Sequence, residues 1–473
     1  MTRLSPARCA ALELASTCRR KGLRMRDFLR DARRMDSLGE KDRALATRLL
    51  LGSVATVGEL DRAVASHLST TTHLEPKVRD ALRLATFEIL YLRTPPRAAV
   101  SQGVEMVRAA SPRAAGLANV LLRHIAEEDR PRVDDARARL CSCEQTLPPT
   151  EAYARVSGYP VYLCKQLIAS MGPCAAAGML LQALEAPPVY VALREDVPEE
   201  VVAPFDAHPS VAPRSFVLGA PAGLSATGLV AQAEVFPADI SSQVIALLAP
   251  SEDGSRILEI GQGRGTKSVL LLQNALRCGN DVQLVSVELD PKKSAVSQER
   301  LKRAGLAKKA ACLTFDATRL ADDALPQCLQ ETFDTVFIDA PCSGAGTMRR
   351  HPEISWSLEK GAVAPGGTLS QLQLRLLKAA AGKVASHGVL SYATCSPLAS
   401  EDEEVIKAFL ATKEGSCFTV ENIEQTPAVK LLTDRGKEMV AHATMKDGFL
   451  QLGRTWEYID ADQHFLAKLR RTS

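Results

Sequence analysis

The chain reads as a multidomain protein: an all-helical N-terminal region, a small α+β middle module and a C-terminal doubly wound α/β domain. Three observations predict this. Apolar residues recur at spacings of three and four through the first 128 residues. From Arg256 onward, strand-like and helix-like runs alternate. Two cysteines, Cys342 and Cys395, each follow a strand-like run in a tight polar turn, at the edge where open α/β sheets bind their ligands.

The helical period covers residues 44–60, 78–92, 98–107 and 114–125, and Thr94-Pro95-Pro96 separates two of these runs, because proline disfavours a helical residue before it. Residues 129–150 are charged and then proline-bearing, and read as a linker. Residues 151–185 look helical again, and 187–236 mix short apolar runs with many prolines and glycines. Together 151–236 are expected to form the middle module. In the last part, 237–473, strand-like runs fall at 257–260, 283–288, 311–315, 335–338 and 389–393, with helical runs at 266–277, 292–304 and 367–386. Such alternation builds right-handed crossovers and a parallel sheet.

Composition narrows the function classes. No apolar run reaches the length of a membrane span, and the N-terminus lacks a secretory pattern. Residues 1–26 are arginine-rich and acid-poor, as transit peptides are, but their apolar positions continue into a helical pattern. Twelve cysteines scattered through 473 residues do not form a disulfide framework. Cys141 and Cys143 have no partner pair at zinc-ligand spacing, so no metal is expected. Charge is uneven: residues 1–140 hold 26 Lys+Arg against 17 Asp+Glu, while the remainder is mildly acidic. Arg19, Arg20, Lys21, Arg24, Arg26, Arg30, Arg33 and Arg34 crowd one stretch. That excess points to an anionic partner such as nucleic acid, against the plainer reading of a solvated helix face.

A glycine turn follows the first strand of the C-terminal domain: Glu259-Ile260-Gly261-Gln262-Gly263-Arg264-Gly265. Glycines there allow positive φ and close approach of a ligand to the backbone. Glu288 ends the next strand, where a carboxylate accepts hydrogen bonds from ribose hydroxyls. Nicotinamide and S-adenosylmethionine sites share this spacing, but G-x-G-x-G departs from the nicotinamide pattern. Asp316, after the third strand, is a candidate for an adenine amine or a turn cap, and Asp339, after the fourth, would face donor and substrate.

Two stretches resemble a known family: Ile338-Asp339-Ala340-Pro341-Cys342-Ser343-Gly344 with Arg349-Arg350-His351-Pro352, and Tyr392-Ala393-Thr394-Cys395-Ser396 with Glu401 and Glu403. They resemble the signatures of the RNA cytosine-5 methyltransferases, specifically the bacterial Sun/RsmB type acting on 16S ribosomal RNA. Lys41-Asp42-Arg43-Ala44, Phe87-Glu88-Ile89-Leu90-Tyr91-Leu92 and Ala118-Asn119-Val120-Leu121-Leu122-Arg123 resemble the NusB-like RNA-binding domain of that type. The resemblance implies a Rossmann-like class I methyltransferase domain, S-adenosylmethionine as methyl donor, and an unstacked or flipped cytosine of 16S rRNA as substrate. It implies Cys395 as nucleophile, Cys342 in release of the product, Asp339 on the cytosine edge, and Lys267 orienting groups or activating a thiol. Glu259, Gly261, Gly263, Gly265, Lys267, Glu288, Asp316 and Asp339 would hold the cofactor. Arg19, Arg20, Lys21, Arg24, Arg349, Arg350 and His351 would contact RNA. A cytoplasmic monomer is expected. Transfer RNA as substrate, and a non-catalytic RNA-binding protein that keeps the fold, are the alternatives. Two departures stand out: Gln262-Gly263-Arg264-Gly265-Thr266-Lys267-Ser268 replaces the family's Ala-Ala-Pro-Gly-Gly-Lys-Thr, and Asp462-Gln463-His464-Phe465 replaces its acidic-Gly-Phe-Phe.

Overall fold

The computed structural model describes residues 4–23, 25–30, 33–69, 73–453 and 459–472. They form two compact units. One runs to Ala186 and includes Met348–Lys360; the other comprises Pro187–Thr347 and the chain from Gly361 onward. Among the described residues no helix is long and apolar enough to cross a membrane.

The first unit is helical. Helices Pro6–Lys21, Glu40–Ala55, Val57–Ser66, Pro76–Tyr91, Pro96–Ala110 and Ala115–His124 enclose a core containing Leu49, Leu50, Leu60, Phe87 and Leu122. The double proline acts as expected: Leu92 is extended and Pro96 opens the next helix, where its missing N–H costs nothing. Gly52 lets two helices meet, because a Cβ there would lie 1.9 Å from the Phe87 ring. The expected linker at 129–150 is instead helical over Arg130–Cys141. Its apolar stripe, Val133, Ala136 and Leu140, is buried but thin among charged neighbours, which hides the helical period. Helices Thr150–Ser157, Val161–Met171 and Pro173–Leu181 also belong to this unit rather than to the middle module.

Residues 348–360 extend the helical unit. The Trp356 indole N–H donates to the Ala55 carbonyl at 2.9 Å. Its ring occupies the space a Cβ on residue 58 would need, 1.8 Å away, so only glycine fits there. The Tyr162 hydroxyl donates to the Leu358 carbonyl at 2.5 Å.

The second unit carries two sheets. The smaller contains β1 (Val189–Leu193), β2 (Ala207–Pro209), β3 (Ser215–Leu218) and β4 (Val235–Pro237), all antiparallel in the order β2-β3-β1-β4. The larger contains β5 (Arg256–Ile260), β6 (Gln283–Glu288), β7 (Ala310–Thr314), β8 (Phe333–Asp339), β9 (Val384–Thr394), β10 (Phe418–Glu421), β11 (Leu450–Leu452) and β12 (His464–Arg471). Its order is β10-β12-β9-β8-β5-β6-β7, with β11 beside β12. The five expected strands pair in parallel, and β10, β11 and β12 add an antiparallel edge. The chain leaves β5 for β6 on one side and returns to β8 on the other. This is the switch point at which doubly wound sheets open a crevice.

In the helical unit one buried ion pair joins distant segments. Arg8, from the first helix, donates through Nε to Glu88 Oε2 at 2.8 Å, and Glu88 is fully buried. Removing one partner strands the other charge without water. Glu88→Ala should therefore lower the stability of this unit by roughly 3–5 kcal/mol, measured as a drop in the denaturation midpoint.

Candidate active site at the carboxyl edge of the sheet

The expected catalytic and cofactor residues converge on the carboxyl ends of the parallel strands. Asp339 ends β8 and pairs in register with Ala393 of β9. Ala340 N donates to Ala393 O at 2.8 Å, so the two strands enter their turns side by side. This brings the Cys342 and Cys395 sulfurs to 3.2 Å, and Cys395 N donates to Cys342 Sγ at 3.3 Å. Both cysteines are half-buried. The adjacent sulfur, then burial, then Glu401 push the Cys342 thiol well above its usual range, although the Cys395 N–H opposes them.

One carboxylate fastens the two turns together. Glu401 is 1% exposed. Ser343, beside Cys342, donates its N–H to Oε1 at 2.8 Å and its hydroxyl to Oε2 at 2.5 Å. Ser396, beside Cys395, donates its hydroxyl to Oε2 at 2.6 Å. Gln373 reaches Oε1 at 3.3 Å and the Pro341 carbonyl at 3.0 Å. Behind Cys395, Thr394 donates its hydroxyl to Asp402 at 2.6 Å, and burial lifts the Asp402 carboxyl well above the usual range. Gly346 closes the other side: its N–H donates to the Cys395 carbonyl at 2.9 Å, and its carbonyl accepts from Gln463 N at 3.1 Å. The unusual Asp462-Gln463-His464-Phe465 segment therefore braces the Cys395 turn. Sequence reasoning gave no role to Glu401, Gln373, Gly346 or Gln463. The serine beside each cysteine, with an acid five residues past the second, was the signal for the first of these.

Lys267, on the helix Thr266–Arg277, donates to Asp339 Oδ2 at 2.8 Å. Burial opposes its charge, but Asp339, with smaller contributions from the Cys395 and Cys342 sulfurs, outweighs that and holds the ammonium above its usual value. A cation thus lies within the field of both thiols.

The glycine turn packs closely against its neighbours, and three acids around it are candidates to hold a cofactor. Gly261 has φ 82°, and a Cβ there would lie 2.2 Å from the Asp339 carbonyl. A Cβ on Gly265 would meet Ser297 Oγ at 2.1 Å. Glu288 accepts Gly263 N on one oxygen at 2.8 Å and Asp290 N on the other at 3.0 Å. Each oxygen keeps a second lone pair for a ribose hydroxyl. Asp316 accepts from Thr318 N at 3.0 Å, the turn-cap alternative, through a single oxygen. Glu259 is fully buried; its Oε2 accepts from Ser268 at 2.5 Å and Ser286 at 2.7 Å, while its Oε1 has no hydrogen-bond partner. A buried carboxylate oxygen without a donor suits a ligand's ammonium group. Gln262 donates its amide N–H to Cys312 Sγ at 2.9 Å, while its buried Oε1 has no hydrogen-bond partner.

The RNA candidates are more scattered. Arg19 is held by Asp80 at 2.9 Å, and Arg349 donates to the Ala186 carbonyl at 3.1 Å; both serve the helical unit itself. Arg350 and His351 also take part in interactions. Arg20 and Lys21 are exposed in the last turn of the first helix, where positive charge complements the helix dipole. Arg24 lies outside the described residues.

Glu259 gives a pH signature. Burial first, with Asp339 adding, pushes its carboxyl up to about 7 from 4.5, against the hydrogen bonds of Ser268 and Ser286 and the Lys267 charge. A folded value above the unfolded one means stability that is complete below about pH 4.5 and lost as pH rises through about 7. Glu259→Gln mimics the protonated acid. It should leave the melting temperature nearly unchanged near pH 4.5 and raise it above pH 7, by at most roughly 3 kcal/mol of stability. Thermal melts of the ligand-free protein across this range measure the difference.

Comparison with known proteins identifies the family. The family model for 16S rRNA methyltransferase RsmB/F matches residues 245–451, and the NusB family model matches residues 5–127. A ribosomal RNA small subunit methyltransferase B from Thermus thermophilus is 30% identical over 392 residues, covering 83% of this chain and 84% of that protein. One from Klebsiella pneumoniae is 27% identical, covering 79% of this chain and 83% of its own length. The crystal structure of PH0851 shares the fold, with a TM-score of 0.71 over 99% of this chain and all of the other, at 18% identity. With a NusB-family domain ahead of its doubly wound catalytic domain, the chain belongs to the RsmB/F family of 16S rRNA methyltransferases.

Proposed function

We propose that this protein transfers a methyl group from S-adenosylmethionine to C5 of a cytosine in 16S ribosomal RNA, through a covalent bond between Cys395 and C6 of the base. The observation that carries this reading is the pair of sulfurs 3.2 Å apart, at the ends of adjacent strands, beside the Lys267–Asp339 pair and the glycine turn. Family membership supports an RNA substrate, and the small subunit methyltransferases named above support 16S rRNA.

Cytosine C5 is a poor nucleophile. Addition of the Cys395 thiolate to C6 moves electron density onto C5. S-adenosylmethionine, when bound, supplies the electrophilic methyl group, with Glu288 at its ribose and Glu259 Oε1 at its ammonium. Asp339 holds the amine edge of the cytosine through the carboxylate that Lys267 steadies. The C5 proton then leaves to solvent, its bonding electrons restore the C5–C6 double bond, and the C6–sulfur bond breaks. Cys342, kept in the thiol form, donates its S–H to the departing sulfur. The target base must leave its stack to reach this edge, which suits flipped or single-stranded RNA. The basic helical domain would contribute phosphate contacts.

Bisulfite sequencing of ribosomal RNA with and without the protein tests the activity. A single protein-dependent protected cytosine in 16S rRNA is expected. Protection only in transfer RNA would change the substrate, and no protection would leave an RNA-binding protein that retains the fold. Order of action is tested by two variants. Cys395→Ala should give neither product nor adduct. Cys342→Ala should accumulate a protein–RNA adduct that survives denaturing electrophoresis. The opposite pattern would exchange the roles of the two cysteines.

A further inference from the structure

A second thiol pair lies within the helical unit, and methyl transfer uses neither member. Cys143 follows the helix Arg130–Cys141, and Cys174 sits in the first turn of the helix Pro173–Leu181. Cys143 is buried and Cys174 is exposed. Their sulfurs are 3.3 Å apart, with the Cys174 thiol donating to Cys143. Tyr153, itself buried, fixes the arrangement. Its hydroxyl donates to the Pro173 carbonyl at 3.2 Å, and its oxygen lies 3.5 Å from Cys143 Sγ. With the tyrosine proton committed to Pro173, the phenolic oxygen accepts from the Cys143 thiol. The chain Cys174, Cys143, Tyr153, Pro173 thus aims one sulfur at the other across 31 residues of sequence. A disulfide needs its sulfurs about 2 Å apart, so the remaining approach is about 1 Å, within reach of side-chain rotation. The sequence offered Cys141 and Cys143 as neighbours; the structure gives Cys143 a different partner.

We propose that Cys143 and Cys174 form an oxidation site that closes to an intramolecular disulfide on exposure to a small-molecule disulfide. Glutathione disulfide is the reagent considered. The exposed Cys174 sulfur, as thiolate, attacks one sulfur of the reagent, forming a mixed disulfide and releasing one glutathione thiolate. Cys143, after losing its proton to solvent, attacks Cys174 Sγ, and the second glutathione leaves as thiolate. Two protein thiols are oxidised and one reagent disulfide is reduced to two thiols. The product ties the end of one helix to the start of another. The buried member resolves the exposed one, so the site favours a protein disulfide over a lasting mixed one.

The test treats the full chain with glutathione disulfide and maps the unreduced peptides by mass spectrometry. This separates the site from the catalytic pair, whose cysteines lie on other peptides. The expected wild-type product is a Cys143–Cys174 cross-link, two hydrogens lighter than the free peptides and reversed by dithiothreitol. Cys143→Ser should instead retain one glutathione on Cys174. Cys174→Ser, at an exposed position that does not threaten folding, should leave Cys143 unmodified. Cys141→Ser should cross-link as the wild type does. A lasting glutathione adduct on wild-type Cys174, a cross-link through Cys141, or no reaction at Cys174 would each overturn the proposal.

Discussion

The buried carboxylate of Glu401 is the constraint on which the catalytic edge depends. Strand pairing between β8 and β9 ends at Asp339 and Ala393, and β12 holds β9 for only one residue more, at Thr394. Each turn needs its own anchor. A single side chain satisfies a backbone N–H and two hydroxyls from both turns at once. Glu401 thereby adds to the bonds from Gly346 N to the Cys395 carbonyl and from Cys395 N to Cys342 Sγ, which also join the two turns. Burial makes the anchor strong: with water excluded, the serine donors have no comparable alternative acceptor.

The electrostatics around this anchor are layered. Lys267 keeps its charge beside Asp339 while the nearby thiols add to the field. Glu259 and Asp402 are both lifted by burial. Lys267 is thus the cation that an ionised thiol would face, beside two acids drawn toward their neutral forms. At Cys342 the adjacent sulfur, burial and Glu401 act the other way and hold the thiol toward its protonated form.

Much of this was legible in the sequence. The parallel strands announce themselves as short apolar runs, because burial on both faces demands it. The glycine turn and the cysteine turns are dense in residues with few other uses. The antiparallel edge was not legible. β12 carries Lys468 in its interior, only 3% exposed, and its charge is met across the rung by Glu421 at 3.4 Å. A lysine within an apolar run looks like a strand end until its partner, 47 positions away in sequence, is known. The helix at Arg130–Cys141 was missed for a related reason: its buried stripe is one residue wide. Arg19 and Arg349 looked like contacts for a polyanion, but each satisfies a group of its own unit. Composition counts charges without showing which are already neutralised.

The membership of Met348–Lys360 in the helical unit has a topological consequence. The polypeptide enters the catalytic unit after Ala186, returns to the helical unit directly after the Cys342 turn, and leaves it again after Lys360. No single cut divides the protein into complete halves. Scission at residue 186 would give an amino-terminal fragment with an empty slot at Gly58 and a carboxyl-terminal fragment bearing Trp356 without its seat. The units are interleaved along the chain, so neither can be excised as one continuous segment without breaking the other.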